Sequence, residues 1–343
     1  GGLPTIFLGY LGIATAVSSI ANAAVYVPVI PVPGAQAGST GVLGINDNNI
    51  IAGSYYTSDG VQHGFFGTLE GNYTTFDVGV TFTQVRGIGN DGSITGQADD
   101  KDGNDYPFER LPNGTVKAIT FQGQTFAYGL AQGFNAKDFV GYGTGQDFPW
   151  ETFYARKGKY AGDIETGIQY SSTKAINDSW LIAGDYYSQA DQKGHGFVLQ
   201  NTTGTLSIVD YRDESATSTF LDGLNNEDIA AGEWMDADYN THGFMVDIDK
   251  ATFTPLKPPH AKFSQAWGVN KIGLIAVTSD QGSFIYCPKK KKCPMSGAEV
   301  TDAKPIHITS FPLVTKGKIA SRPPVESSSA TGRRPRPLWW RQP

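Results

Sequence analysis

The feature that most constrains this chain is a unit of about 45 residues that recurs six times. Each copy opens with a Gly-Ile-Asn or related turn, continues into an Ile-x-Gly segment, and resumes after a polar loop at a His-Gly-Phe or related segment. The copies are anchored at residues 44, 87, 133, 175, 223 and 268, so the intervals are 43, 46, 42, 48 and 45 residues. Such a period indicates one supersecondary unit whose neighbouring copies bury a continuous core.

The first unit shows four strand-like segments. The first ends at Gly44-Ile45-Asn46, at a turn in which Asn, Asp and Gly supply residues with positive φ, and the segments 50–56, 63–66 and 73–78 follow. Four strands in about 45 residues is the size of a propeller blade. We therefore predict an all-β fold, a six-bladed β-propeller of four-stranded blades. A solenoid is the alternative, but solenoids need polar caps and the sequence shows no distinct cap.

Ring closure has a candidate at the start of the chain. The last unit lacks a convincing fourth strand after its cysteines, whereas segment 25–34, Val-Tyr-Val-Pro-Val-Ile-Pro-Val-Pro-Gly, precedes the first unit. Proline is tolerated on an edge strand, and the outermost strand of a blade is one. We predict that this N-terminal strand completes the sixth blade.

Both ends of the chain differ from the repeats. Residues 1–46 carry no charge, and the apolar run from Ile6 to Ile20 is followed by Ala21-Asn22-Ala23, which is typical of a secretory signal peptide over residues 1–24. A membrane anchor is the alternative, although Gly, Ser, Thr and Asn dilute the run. Residues 295–343 form a basic, low-complexity tail that we expect to be largely disordered. The propeller is assigned to residues 25–294.

The charge is unevenly distributed. Residues 289–343 hold 12 Lys and Arg against 3 Asp and Glu, which leaves 15 basic and 30 acidic residues in 1–288 and a net charge of −15 there. Nucleic-acid surfaces need clustered Lys and Arg, so the acidic body is not expected to bind nucleic acid. It would tolerate cationic partners or metal ions.

The two cysteines, Cys287 and Cys293, lie in Cys-Pro-Lys-Lys-Lys-Lys-Cys-Pro. In an exported protein such a pair favours a local disulfide. Two free thiols are the alternative, and a zinc site would need more ligands than this segment offers.

The pattern also resembles the HAF family of bacterial extracellular repeat proteins. The matching segments are Val32-Pro33-Gly34-Ala35, Gly44-Ile45-Asn46-Asp47, and the stretches 50–56, 59–65 and 73–78. The resemblance covers roughly residues 25–288 and is strongest in the first, fourth and fifth units. It implies an exported, propeller-like protein, and it brings no settled activity and no catalytic residues.

Three repeated histidines invite a catalytic or metal interpretation. His63, His195 and His242 each stand two residues before a phenylalanine, namely Phe65, Phe197 and Phe244. At the third strand of a blade each histidine lies about 10 Å beyond the inner strand, so those of opposite blades cannot share an ion. We interpret all six residues as structural parts of the repeat, with imidazoles hydrogen-bonded within or between blades.

One acidic loop is a candidate cation site. Asp100, Asp102, Asn104 and Asp105 alternate around a glycine, which is a pattern that can wrap Ca²⁺. The distal Glu of an EF-hand is absent, and solvated turn chemistry is the alternative. Ca²⁺ is the single candidate ligand of this kind, and no other cofactor is assigned.

Function is the least determined property. The sequence lacks His-Glu-x-x-His, Gly-x-Ser-x-Gly and a phosphate-binding glycine loop, so we assign no catalytic residue. We expect a secreted protein, extracellular or periplasmic, without a transmembrane span when mature, that binds a glycan, a peptide or a cell-surface partner. The alternative is a propeller hydrolase or lyase that acts on a polysaccharide at the channel mouth. Convergent carboxylates in the channel would favour the enzyme. In either case we expect the functional residues at positions where the six copies differ.

Overall fold

The computed structural model describes residues 24–289 and 293–294, together with three short tail segments at 299–300, 306–307 and 313–314. These residues hold 29 strands and no helix. The strands form six antiparallel blades, most of them four-stranded before additions at their outer edges. The prediction of an all-β propeller is confirmed.

The strands follow the repeat. β1 (Val25–Pro28) comes first in the chain. Blade one contains β2 (Gly41–Ile45), β3 (Ile51–Tyr56), β4 (Gln62–Gly67) and β5 (Tyr73–Phe76). Blade two contains β6 (Thr83–Ile88), β7 (Ile94–Asp99), β8 (Asp105–Arg110) and β9 (Val116–Ala118), and a hairpin of β10 (Thr120–Phe121) and β11 (Gln124–Thr125) follows it. Blade three contains β12 (Tyr128–Phe134), β13 (Phe139–Thr144), β14 (Glu151–Arg156) and β15 (Lys159–Asp163).

Blades four to six follow in the same order along the chain, and the tail adds three short strands. Blade four contains β16 (Ser171–Ile176), β17 (Leu181–Ser188), β18 (Lys193–Gln200) and β19 (Thr205–Ile208). Blade five contains β20 (Ser218–Leu224), β21 (Ile229–Met235), β22 (Thr241–Asp247) and β23 (Thr252–Leu256). Blade six contains β24 (Ser264–Val269), β25 (Ile275–Ser279), β26 (Gly282–Cys287) and β1. The tail adds β27 (Glu299–Val300), β28 (Ile306–His307) and β29 (Leu313–Val314).

The first strand of each blade is innermost, and these six strands form a closed ring. β2 contacts β6, the contacts continue through β12, β16 and β20 to β24, and β24 contacts β2. The sixth blade is completed by β1, which pairs antiparallel with β26 from Val25 opposite Cys287 to Pro28 opposite Phe284. The predicted closure by the N-terminal strand is therefore confirmed.

Asparagine side chains tie neighbouring inner strands together at one end of the ring. The Nδ2 of Asn177 donates to the carbonyl of Asn225 at 3.1 Å, that of Asn225 to Asn270 at 3.0 Å, and that of Asn270 to Asn46 at 3.2 Å. Asn46 donates in turn to Gly89 of blade two. Because the amides join different blades, they convert six local sheets into one circular structure. We call these residues and Asn135, which donates to Asn177, the asparagine ring.

The same asparagines also shape the turn after the inner strand. The Oδ1 of Asn225 accepts hydrogen bonds from the backbone N–H of Glu227 and of Ile229, an arrangement that caps the turn. The positive φ that the sequence assigned to the turn occurs three residues after the asparagine, at Asp228 with φ 55° and at Trp180 with φ 61°. The motif asparagine thus acts through its side chain rather than through its own backbone conformation.

The glycine of the Ile-x-Gly segment is required by a close approach. A Cβ on Gly53 or Gly184 would stand 1.9 Å from a carbonyl oxygen of the paired inner strand, and one on Gly232 would stand 2.0 Å away. Any side chain there would force the second strand away from the inner strand. The repeated glycine is therefore a packing requirement of the blade.

The core lies between the blades and within them. The phenylalanines of the third strands are fully buried in five blades: Phe65, Phe108, Phe153, Phe197 and Phe244. Full burial of one such side chain contributes roughly 1.5–3 kcal/mol. One hydrophobic cluster joins Val25 and Ile285 of blade six to Val42 and Phe65 of blade one, so the closing blade is also packed against the first.

The chain ends fall mostly outside the described residues. The signal-peptide prediction concerns residues 1–24, of which only Ala24 is described, and the disorder prediction concerns a tail of which three two-residue strands are described. β27 pairs with β1, β28 with β23 and β29 with β19, so these strands extend the outer edges of blades six, five and four. Within the described part of the chain, no helix long and apolar enough to cross a membrane is present.

We predict that Asn225→Ala lowers the free energy of unfolding by about 1–3 kcal/mol, since the change removes an interblade hydrogen bond and leaves buried partners without their acceptor or donor. Urea unfolding followed by tryptophan fluorescence measures the loss. Asn201→Ala is the matched control, because no side-chain hydrogen bond of Asn201 is present among the described residues. Equal losses in the two variants would contradict a structural role for the asparagine ring.

Candidate functional site

Every inner strand carries a β-bulge at the same point, directly before the Gly-Ile-Asn motif. The register between first and second strands skips there in all six blades. A bulge leaves its extra residue outside the ladder and redirects its side chain. The residues that stand at this position form what we call the axial ring: Leu43, Arg86, Gln132, Lys174, Asp222 and Trp267.

Side chains of the axial ring meet across the propeller axis. The Nε2 of Gln132 in blade three donates to the backbone carbonyl of Asp222 in blade five at 2.7 Å. The Cζ of Arg86 in blade two lies 5.1 Å from the ring centroid of Trp267 in blade six. Neither pair belongs to adjacent blades, so both contacts span the centre. The bulges therefore gather six different side chains at one place.

A second ring of variable residues lies next to the axial ring. It comes from the position after the Ile-x-Gly glycine and its equivalents on the second strands: Ser54, Gln97, Tyr142, Asp185, Glu233 and Thr278. Lys174 joins the two rings, because its Nζ lies 2.6 Å from Oδ2 of Asp185 and 2.9 Å from Oδ1 of Asp222. Trp267 also connects the two rings, since its Nε1 donates to Oγ1 of Thr278 at 2.9 Å.

Burial perturbs the acids and the base of this cluster. Burial raises the pKa of Asp185 to about 6, although the Lys174 ammonium opposes the shift. Burial and the neighbouring Asp222 raise the pKa of Glu233 well above its usual range, although the Lys174 ammonium opposes the shift. For Lys174 burial lowers the pKa, but the contacts with Asp185 and Asp222 outweigh it and raise the pKa overall. The cluster thus combines an ion pair with an acid whose neutral form is favoured by burial.

The two ends of the axis differ. At the asparagine-ring end, a cavity of about 60 Å³ is lined by the turn asparagines and by an apolar layer. The layer consists of Ile45, Ile88, Phe134, Ile176, Leu224 and Val269. At the other end Gln84, Phe220 and Gln265 are partly exposed, and the Lys174 side chain is 14% exposed. We call this partly exposed end of the axis the axial pocket.

Aromatic side chains flank the open end at blade three. The Trp150 ring lies 5.4 Å from that of Tyr142 and 6.2 Å from that of Tyr128, nearly parallel to both. Tyr170 meets Trp150 edge-on at 6.2 Å, is 48% exposed, and has φ 56°, which is a costly conformation for a bulky residue. We call these four residues the aromatic wall.

Some buried polar atoms near the axis lack a partner among the described residues. One is Oε1 of Gln132, a residue that is 2% exposed. Buried polar groups are normally hydrogen-bonded, so an orphaned one marks a place where water or another group can bind.

The three repeated histidines lie elsewhere, each within its own blade. Nδ1 of His63 pairs with Asp77 at 2.7 Å, and Nδ1 of His195 pairs with Asp210 at 2.8 Å. His242 pairs through Nε2 with Asp236 at 2.9 Å and stacks on Trp234 at 4.2 Å. The structure therefore does not bring these histidines together. Phe65, Phe197 and Phe244, which follow them, are core residues.

The acidic loop of blade two is a capped turn. Oδ1 of Asp100 accepts from the backbone N–H of Asp102 and of Asn104, both at 2.9 Å, and Oδ2 accepts from the Asn104 amide. Asp102 also pairs with Lys101, and Asp105 is buried at the start of β8. Within the described ranges, no group of three or more His, Cys, Asp or Glu has a geometry suited to a metal. Calcium binding at this loop stays a prediction.

Cys287 and Cys293 form a disulfide, with their Cα atoms 5.5 Å apart. It joins the end of β26 to the start of the tail. Disulfides persist in oxidising compartments and are rare in reducing ones, so this pair suggests a location outside the cytoplasm.

The axial ring is the part of the site that the sequence expectations missed. The signal for it was present, because the residue before each Gly-Ile-Asn motif is different in every copy while the motif itself recurs. What the repeat pattern could not provide was the direction of these side chains, which depends on the bulge. Asp185 and Glu233 were missed for the same reason.

Fold and site together define the class of this protein as a closed β-propeller with a cluster of polar side chains on its axis. No family model and no curated protein matches the chain. Among solved structures, TolB from Acinetobacter baumannii aligns over 69% of this chain and 65% of its own, with 12% identity and a TM-score of 0.48. A chain from a mitotic checkpoint complex aligns over 76% of this chain and 93% of its own, with 9% identity and a TM-score of 0.42. This chain thus spans slightly less than two thirds of the TolB chain, and identities this low concern the fold alone.

We predict opposite results for two isosteric changes in the cluster. Asp222→Asn should lower the free energy of unfolding by about 3–5 kcal/mol, because Lys174 loses a buried partner. Glu233→Gln should cost little at pH 5, since the raised pKa of Glu233 favours its neutral form in the folded protein. Its raised pKa lowers folded stability as pH rises above the unfolded value near 4.5, so Glu233→Gln should be more stable than wild type at pH 8. Urea unfolding at both pH values measures this, and a Glu233→Gln variant that loses stability at pH 8 would contradict the protonation state.

If the blade-two loop binds calcium, millimolar Ca²⁺ should raise the melting temperature of the wild-type protein and leave that of Asp100→Asn unchanged. Differential scanning fluorimetry in Ca²⁺ and in EDTA measures the shift. Asp236→Asn is the control, since Asp236 caps the corresponding turn of blade five in the same way. Identical wild-type melting temperatures in the two buffers would exclude the site.

Proposed function

We propose that this chain is an exported, non-catalytic binding protein of the HAF type whose ligand is a glycan that binds at the axial pocket. The observation that carries the proposal is the axial ring. Six equivalent positions of a repeated frame hold six different side chains, and most of them are polar or aromatic. Packing alone would be served by repeated apolar residues, as it is in the closing layer of Ile, Phe, Leu and Val.

The surroundings of the pocket support a glycan over other ligands. Binding pockets combine aromatic surface with a few placed polar groups that fix orientation. The aromatic wall supplies flat apolar faces beside the opening, and Gln84, Gln265 and the axial ring supply donors and acceptors. Sugars present both kinds of surface, apolar ring faces and hydroxyl groups. Export is supported by the disulfide and by the signal-peptide pattern of residues 1–24.

A glycan array probed with the whole protein tests the proposal. Tyr170→Ala, in the aromatic wall, should weaken binding of any retained glycan at least about tenfold, as expected for loss of a buried aromatic contact. Tyr239→Ala is the matched control, because Tyr239 is 82% exposed at a loop tip of blade five and also has positive φ. Binding that is unaffected by Tyr170→Ala, or that is lost with Tyr239→Ala, would place the ligand elsewhere and contradict the proposal.

A second candidate is a hydrolase or lyase that acts on a polysaccharide at the same pocket. The observation in its favour is the closeness of the buried carboxyl groups of Asp222 and Glu233, since glycoside cleavage uses paired carboxyl groups, and burial raises the pKa of Glu233 as a general acid requires. Both residues are less than 5% exposed, behind Lys174, which favours the binding role. Release of reducing ends or of unsaturated products from a polysaccharide panel, abolished by Glu233→Gln, would establish the enzyme instead.

A further inference from the structure

The closing strand β1 is held from both sides by the C-terminal part of the chain. β26 pairs with one edge of β1 and β27 pairs with the other, so Val25 lies between Cys287 and Val300. In blade one, by contrast, β5 is the outermost strand of its sheet. A strand that is paired on one edge only exposes a row of backbone N–H and C=O groups on the other. β27 therefore covers part of the strand on which ring closure depends.

The two strands that follow extend this arrangement to the next blades. β27, β28 and β29 begin at residues 299, 306 and 313, seven residues apart, and they add to blades six, five and four in that order. Seven extended residues span up to about 24 Å. In a ring of six, neighbouring outer edges are as far apart as each is from the axis, which is roughly 20 Å for four strands spaced about 4.8 Å apart. One step therefore reaches the next blade, and we call these three strands the belt.

A disulfide fixes the start of the belt beside β1. Cys287 is the last residue of β26 and is fully buried, and Cys293 packs against the same hydrophobic cluster. Each belt strand has only two residues, so few hydrogen bonds hold it. A shorter tether raises the effective concentration of a weakly held segment at the place where it binds. The disulfide supplies this effect, because it shortens the free segment before β27 from 11 residues, 288–298, to 5 residues, 294–298.

We propose that the belt is a redox-sensitive clasp that keeps the propeller ring closed by retaining β1 in blade six. A reducing dithiol attacks at Cys293, which is the more exposed of the two cysteines. Its sulfur bonds to Sγ of Cys293, the disulfide breaks, and Cys287 leaves as a thiolate that takes up a proton. The second thiol of the reductant then releases Cys293, so the protein gains two thiols and the dithiol is oxidised to a disulfide. The longer tether weakens the belt, and β1 leaves blade six more often.

The clasp acts on the axial ring through blade six. Trp267 of that ring lies on β24, in the sheet that β1 completes, and shares one hydrophobic cluster with Val25 and Val27. Departure of β1 opens that cluster, so the geometry around Trp267 depends on the belt. The clasp does not require the proposed glycan binding, and each can fail without the other.

Hydrogen–deuterium exchange of the whole protein, followed by mass spectrometry of its peptides, tests the clasp. In dithiothreitol the amides of β1 should exchange about threefold or more faster than in the oxidised protein, because effective concentration falls roughly as the −3/2 power of tether length. The amides of β5 are the matched control, since β5 is also a four-residue outer strand but carries no belt strand among the described residues. Their exchange should not change.

Two variants separate the disulfide from the belt. Cys293→Ser removes the disulfide and leaves Cys287 in the core, so its β1 amides should exchange as in the reduced wild type and should not respond to dithiothreitol. Val300→Pro keeps the disulfide but disrupts the pairing with β1, because proline lacks the N–H of a ladder residue. It should accelerate β1 exchange in the oxidised protein. Ser328→Pro, which lies outside the belt strands, is the matched control and should exchange like the wild type.

Three results would overturn the clasp. One is β1 exchange that is equal in the oxidised and reduced protein, and another is β1 exchange that Val300→Pro leaves unchanged. The third is equal acceleration of β1 and β5 on reduction, since the disulfide would then be a general cross-link of the fold and not a control on ring closure.

Discussion

The hydrogen bonds of the asparagine ring are the interaction on which the rest of the structure depends. Each links a side-chain amide of one inner strand to a backbone carbonyl of the next blade, for example Asn225 to Asn270. They are buried, so their loss would leave polar groups unsatisfied. Blades two and three are the exception, because Gly89 replaces the asparagine. There Oγ1 of Thr95 donates to the carbonyl of Gln132, and a parallel pairing joins Asp105 to Tyr128.

Because the asparagine ring holds the blades together, the residues at the bulges are not needed to pack one blade against the next. A buried ion pair such as Lys174 with Asp222 is weak evidence for stability, since desolvation of both charges offsets most of their attraction. Well-packed apolar side chains would serve a purely structural axis at least as well. The charges at the axis are therefore the feature that the proposed binding function explains and that packing does not.

A feature of this fold was predictable from the sequence when the interactions behind it are local. The blade period and the Ile-x-Gly packing follow from sequence pattern, because each depends on strand alternation and turn residues within one unit. Closure by Val25–Pro28 is a long-range pairing, and it was predictable because the last unit lacks a fourth strand of its own. The histidines were recognised as repeated, but their partners Asp77 and Asp210 lie about 15 residues further along and become neighbours only when the fourth strand forms. The axial ring escaped detection because no single unit contains it.

By itself the sequence determined that this protein is a ring of six similar β-sheets, since a repeated unit that cannot bury its own faces must stack on its copies. It also determined where the copies differ, at the residue before each Gly-Ile-Asn motif. Only the tertiary structure decided that Arg86, Lys174 and Asp222 converge, because a bulge turns each side chain toward an axis that exists only once the ring is closed. The six residues of the axial ring, which are 42 to 224 positions apart in the chain, converge for that geometric reason.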